Sequence, residues 1–342
     1  MAIAVVAVMF VGATNSSVSV DPIFGRHVGA VTVTMTPAEA RIVARMSALV
    51  RNFETFSPST NQVIDWRIES SALASRTFRL SRSIFVALQQ ILERQGWTGI
   101  SRTVVVIART QSYINAQLAS VDCYPNLVRT GGVHLMGETV CGRRVIVINL
   151  TGYFFLRAAS DVLDNWMETR AEPGFSRVDY RLVDRNISGL AHEWAHVARA
   201  AAEGGATPDD EPAWFREGFA EMMAGVARVA ALSDRMSYLD FHVIRLRKFA
   251  DWARTCRSPL RDYRTTSDYL GGCEYYVGPL AVELLLARFG GLSPMFRMFA
   301  NVGNARNFAQ GFHNAYGFDL ATFETIADRY INGIRNVSTN VS

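Results

Sequence analysis

The chain lacks most of what would point to nucleic acid or to a membrane. It has no run of lysines and arginines, only scattered pairs such as Arg143-Arg144 and Arg245-x-Arg247-Lys248. With a formal net charge of +4 over 342 residues, this is a solvated basic surface, and nucleic-acid binding is not expected. The apolar run from Ala2 to Ala13 falls short of the ~20 residues that a membrane-spanning helix needs, so no stable membrane span is expected. There is no fixed-period repeat and no low-complexity tract. Cysteine is scarce, and none of the four forms a C-x-x-C pair, which argues against a cysteine-type metal site. Disorder is excluded by composition, since 49% of the residues are apolar and 19% charged. The length suffices for a substantial core and allows two lobes.

The N-terminus, "MAIAVVAVMFVGATNSS", has the apolar core of an export signal, with small residues at Val11-Gly12-Ala13 for cleavage. No basic residue precedes the run, and a buried strand rich in Val and Ala is the other reading. Export is the expectation, with a leader over residues 1–20. In an oxidising compartment the cysteines would pair locally, Cys123 with Cys141 and Cys256 with Cys273. Each bridge would contribute about 3 kcal/mol in the loop-entropy model. In a reducing compartment all four would be unpaired small apolar residues.

Local patterning predicts an α+β chain. "GAVTVTMTPAEARIVARMSALV" turns from strand alternation to helix, with Thr36 as N-cap, Pro37 in the first turn and Glu39 completing a capping box. Ile84, Leu88, Ile91 and Leu92 carry helical spacing that Gly96 stops. "RTVVVIART" and "RRVIVINL" suit buried strands, and Val133 to Met136 is one further extended piece. From about residue 180 helices dominate, near 184–202, 211–225, 236–255, 276–289 and 320–333. Residues 21–180 would form an N-terminal α/β lobe and 181–342 a helical lobe.

The stretch that carries chemistry is "SGLAHEWAHVARA". Residues i and i+4 share one helical face, so His192 and His196 can aim ring nitrogens at one ion. Two imidazoles suit Zn²⁺, which also needs a third protein ligand and an open position. Glu193 would sit beside the metal, where a general base for an activated water belongs. With six histidines in the chain, roughly 0.005 accidental matches to H-E-x-x-H are expected. Arg199 and Ala202 occupy the positions where a metzincin would carry Gly and His, which removes that branch. Further on, "DDEPAWFREGFAEMMAG" can open a helix at Asp210 or Glu211 with Pro212 in its first turn. It places Glu217 and Glu221 one turn apart among Trp214, Phe215, Phe219, Met222 and Met223. Carboxylates in such surroundings call for a cation. Gly218 makes sense if this helix approaches the His helix closely.

These two motifs resemble the gluzincin metallopeptidases, and most closely the compact thermolysin-like domains of the peptidase MA clan. Twenty residues separate His196 from Glu217, near the spacing common in that group. The resemblance implies a two-lobed fold with zinc between the lobes. It implies His192, His196 and Glu217 as metal ligands, Glu193 as general base, and Glu221 orienting a ligand histidine. "EYYVGPLAVELLLARFGG" is similar to the family's downstream helix and places Tyr275 at its recurring tyrosine, with Tyr276 one position off. Such a tyrosine donates a hydrogen bond to the oxyanion; a Tyr simply packed at a helix start is the other reading. "AYGFDLATFETIADRYI" is similar to the terminal helices. The implied substrate-binding edge strand falls near Gly131 to Gly137, with His134 in it. No Gly-Ala-Met-Glu-Asn-type motif precedes the site, so nothing supports capture of a substrate amino terminus.

The expectation is therefore an exported zinc-dependent peptidase acting on a peptide or protein substrate. Two alternatives stand beside it. One is a catalytically silent zinc-binding domain of this type acting as a binding module, which the retained Glu193 argues against. The other is a membrane-associated protein anchored through its first residues. His242 and His313 carry no recognisable pattern, and oligomeric state is not legible.

Overall fold

The structure is a computed structural model that describes residues 14–18, 31–53, 64–73, 76–97, 102–123, 137–141, 144–149, 177–205, 208–233, 236–247, 252–264 and 272–338. A two-stranded antiparallel ribbon pairs β1 (Thr14–Val18) with β2 (Val31–Met35), Thr14 opposite Met35. A four-stranded sheet contains β3 (Ile64–Ile68), β4 (Thr103–Ala108), β5 (Gly137–Val140) and β6 (Val145–Asn149) in the order β3-β4-β6-β5. β3, β4 and β6 run parallel, and β5 is antiparallel on the β6 side. The chain is thus a mixed, mainly helical α+β protein. Of the leader expected over residues 1–20, the apolar run up to Ala13 lies outside the described residues, whereas Thr14–Val18 forms β1; Val133 to Met136, with His134, also lie outside.

Both expected apolar strands form, and their burial explains their composition. Val105 and Ile107 of β4 point into the main core, whereas Val106 and Ala108 point into a smaller one. That smaller core holds Ile114 and Leu118 of α4 (Gln111–Ala119) and Cys123. A strand covered on both faces reads as a continuous apolar run. The third parallel strand, "IDWRI" at β3, was not anticipated. All five of its residues are only partly buried, and Asp65 and Arg67 pair with each other at 3.1 Å.

The helical part begins with α1 (Pro37–Arg51), whose capping box forms as expected. Glu39 N donates to Thr36 Oγ1 at 3.1 Å, and Thr36 N donates to Glu39 Oε2 at 3.3 Å. The short α2 (Ser70–Leu73) precedes α3 (Arg76–Arg94), which buries Ile84, Leu88, Ile91 and Leu92 and ends before Gly96 at φ 83°. After α4 come α5 (Arg177–Ala202), α6 (Ala213–Ala231), α7 (Tyr238–Arg247), α8 (Trp252–Thr255) and a 3₁₀ turn, Leu260–Asp262. The last four are α9 (Glu274–Arg288), α10 (Leu292–Ala305), α11 (Phe308–Tyr316) and α12 (Leu320–Ser338). α10 and α11 were not anticipated, although Met295, Phe296, Met298, Phe299 and Val302 bury one face at helical spacing.

α6 is the central helix. It packs on α3, α5 and α9, while α5 also lies against β5 and β6. One continuous core runs from α1 and α3 through β4 and β6 to α12. Both local disulfides are present: Cys123–Cys141 and Cys256–Cys273, with Cα–Cα separations of 5.8 and 5.4 Å. No helix among the described residues is long and apolar enough to cross a membrane.

Candidate metal centre

The two motifs lie on adjacent helices, α5 and α6, and their packing brings the three donors together. Trp194, fully buried between the histidines in sequence, turns to the opposite side of α5 and meets Phe85 edge-on at 5.2 Å. That fixes which face of α5 carries His192 and His196. On α6 the far side is held by aromatic packing: Phe215 and Phe219 both meet Phe299, at 5.9 and 5.0 Å between ring centres. The opposite face presents Glu217 and Glu221.

A close approach occurs at Gly218, but not to the His helix. A Cβ built there would lie 2.4 Å from the carbonyl carbon of Gly278 on α9, and one built on Gly278 would lie 2.1 Å from the Trp214 carbonyl oxygen. The glycine pair therefore lets α6 and α9 touch backbone to backbone. Neither Asp210 nor Glu211 caps α6. Pro212 holds the cap position without a side-chain bond, and the first free N–H groups, of Ala213 and Trp214, donate to the carbonyls of Arg264 and Tyr263. Asp210 instead accepts from Phe308 N at 3.0 Å in the first turn of α11, beside that helix's own N-cap, Asn307. Glu211 is buried and pairs with Arg199 of α5. The same arginine reaches Glu203 at 3.3 Å. A buried ionic group thus ties the end of the His helix to the start of the Glu217 helix.

The donor geometry is compact. His192 Nε2 and His196 Nε2 are 3.0 Å apart, and Glu217 Oε2 lies 3.4 and 3.3 Å from them. A tetrahedral ion with bonds of ~2.0–2.1 Å separates its ligand atoms by about 3.3 Å, so the triangle fits a small divalent cation. This buried His192, His196 and Glu217 group could hold such an ion. The three donors are nearly enclosed, with side-chain exposures of 10% for His192, 12% for His196 and 9% for Glu217, and Glu193 beside them is half-buried.

The charges favour a cation as well. Burial works against a charged His192, yet Glu217 and Glu221 push its pKa up to about 10. Burial outweighs Glu217 at His196 and lowers that ring's pKa. Burial alone would raise Glu217, but His196 and His192 hold it well below the usual carboxylate range. A divalent cation among these groups would balance the charge of the two carboxylates.

Around the donors, Glu221 Oε1 stands 3.1 Å from His192 Nδ1, the ring nitrogen turned away from Glu217. That is the position from which a carboxylate fixes the tautomer of a metal-binding histidine. Tyr275, near the start of α9, stacks on His192 with ring centres 6.0 Å apart, whereas Tyr276 packs against the main core. Pro279 removes the α-helical bond to the Tyr275 carbonyl, loosening the ladder at that turn.

Two features were missed from the sequence. Arg216 Nε donates to Glu217 Oε1 at 3.1 Å; a basic residue next to a candidate acidic ligand was the available signal. His242, which carried no pattern, is buried between Glu39 Oε1 at 3.0 Å and Glu283 Oε1 at 2.9 Å. The signal there was Glu283 itself, an acid inside "LAVELLL". His313 makes an exposed pair with Asp319. The chain matches no protein-family model, no curated protein and no solved structure.

Proposed function

We propose that the chain is a zinc-dependent metallopeptidase of the gluzincin type, with the thermolysin-like arrangement of a sheet-bearing and a helical lobe around the site. The observation that carries this reading is the donor triangle of His192, His196 and Glu217, with a half-buried carboxylate, Glu193, one residue beyond the first ligand. His192, His196 and Glu217 would hold the zinc, which when bound would supply Lewis acidity for a water and a substrate carbonyl. Glu193 takes the proton that the attacking water loses and delivers it to the departing amine, serving as base and then acid. Glu221 holds His192 in the tautomer whose Nε2 lone pair is free. Tyr275 supplies a phenolic donor for the charge that develops on the carbonyl oxygen. An exported, disulfide-bonded enzyme is the setting we infer, and the two bridges fit an oxidising compartment.

The test is metal analysis of the purified protein with cleavage of a mixed peptide library, beside Glu193→Gln. Near-stoichiometric zinc, chelator-sensitive cleavage and loss of at least ~10²-fold in rate in the variant are expected. A protein without bound metal, and unable to take any up, would sink the reading. Stoichiometric zinc with no cleavage in either form would favour the silent binding module instead.

A further inference from the structure

The two oxygens of Glu217 face different partners. Oε2 is the atom that closes the triangle with the imidazoles, at 3.4 Å from His192 and 3.3 Å from His196. Oε1 accepts the Nε–H of Arg216 at 3.1 Å. Arg216 precedes Glu217 on α6 and is the more open of the two, with 24% of its side chain exposed against 9%. Its guanidinium therefore covers the outer oxygen of an otherwise buried carboxylate.

This division matters because a carboxylate can hold a metal through one oxygen or through both. A second oxygen would occupy the position that a catalytic centre must keep for water or substrate. We propose that Arg216 is a positioning residue that confines Glu217 to one-oxygen coordination and so keeps that position open. The inference rests on the metal reading of the site and adds to it a role for a residue outside the ligand set. A charge-assisted, directed N–H···O bond fixes the carboxylate plane and engages the outer oxygen. Without it, Oε1 is free to turn onto the ion, and the carboxylate also loses the neighbouring positive charge that tempers its donation.

The consequence is unlike that of an ordinary structural defect. Arg216→Met keeps an unbranched apolar stem that reaches about as far as Nε but removes the guanidinium, and with it the donor and the charge. The folded variant should bind metal at least as tightly as the native protein in a chelator competition. Its kcat should fall by ~10-fold or more with KM little changed, because the open position is filled while the substrate-binding surface stays as it was. Cobalt-substituted native protein should show the visible spectrum of two imidazoles, one carboxylate oxygen and water, and Arg216→Met a changed spectrum, because a second carboxylate oxygen replaces the water. X-ray absorption of the zinc-loaded native protein gives the ligand number without any variant. Two carboxylate oxygens on zinc there would overturn the proposal, as would identical cobalt spectra in the two proteins. A variant that binds metal more weakly with an unchanged spectrum would also overturn it, leaving Arg216 a mere packing group. Failure of the native protein to take up either ion would end the metal reading and the lock with it. That outcome is distinct from native-like coordination in the variant.

Discussion

At the scale of single residues the molecule puts histidine to two different uses, and burial with partners separates them. His192 has Glu217 and Glu221 on opposite ring nitrogens, with a second histidine, His196, beside it. Glu221→Gln should weaken metal binding by ~10–100-fold, because the histidine loses the carboxylate that orients it; chelator competition reads this directly, and unchanged affinity would remove Glu221 from the site. His242 has two carboxylates as well, but Tyr238 and Tyr330 close the network by donating to Glu283 at 2.5 and 2.9 Å. The groups come from α1, α7, α9 and α12, so the cluster is a brace between helices. Burial opposes its charge, yet Glu283 and Glu39 push the His242 pKa up to about 9. A folded value above the unfolded one means that the proton stabilises the native state. That contribution is complete below about pH 6.5 and declines as pH rises through about 9. Burial raises Glu283, but His242 outweighs it and lowers its pKa, so the carboxylate's contribution is present above about pH 4.5 and disappears in acid. Urea midpoints should therefore fall between pH 6.5 and 9 in the native protein. His242→Gln should start from lower stability and show a flatter profile over that window.

At the scale of elements, the relation between α5, α6 and α9 decides whether the site exists. α5 and α6 are joined through Arg199, Glu203 and Glu211, all fully or almost fully buried. Arg199→Met removes the buried positive charge that Glu203 and Glu211 share and should cost about 3–5 kcal/mol in chemical denaturation. Replacing all three by apolar residues of similar volume should recover most of that loss; a triple variant as unstable as the single one would contradict this account. The contact of α6 with α9 depends on Gly218 and Gly278. Gly218→Ala should destabilise by about 1–3 kcal/mol and also weaken metal binding, because the helix that must shift carries Glu217 one residue away. Much of this was legible in the sequence where a signal was local. The capping box at Thr36, the spacing of Ile84 to Leu92, the β-branched runs of β4 and β6 and the H-E-x-x-H pair all report on neighbours within a few residues. The pairing partner of Gly218 was not legible. A glycine says that a backbone comes close, but not which one, and the choice of α9 over α5 is made by Gly278, sixty residues later in the chain. β3 was missed because a partly buried strand carrying Asp65 and Arg67 has no apolar run. Neighbours distant in sequence likewise decided that Asp210 would accept from the first turn of α11 and that Glu211 would pair with Arg199.

At the scale of the whole molecule the two disulfides are nearly equal in loop length but differ in position. Cys123–Cys141 spans 18 residues in sequence and Cys256–Cys273 spans 17, so the loop-entropy model assigns each about 3 kcal/mol. Cys123 lies in the small core on the α4 side of the sheet, away from the main core that carries α5 and α6. Cys273, by contrast, occupies the cap position of α9, two residues before Tyr275 and five before Gly278. It is itself in the main core, and it accepts the N–H groups of Tyr276 and Val277 on its carbonyl. The second bridge thus pins the start of the helix that lies over His192 and against α6. Removing either bridge with paired Cys→Ala substitutions should lower stability by a similar amount, about 2–5 kcal/mol. Only loss of Cys256–Cys273 should also change the site, seen as weaker metal retention against a chelator under conditions where both variants remain folded. Comparable metal affinity in the two variants would show that α9 is held over the centre by Gly218, Gly278 and the Glu283 network alone. In that case the bridge acts on the unfolded chain and not on the geometry of the site.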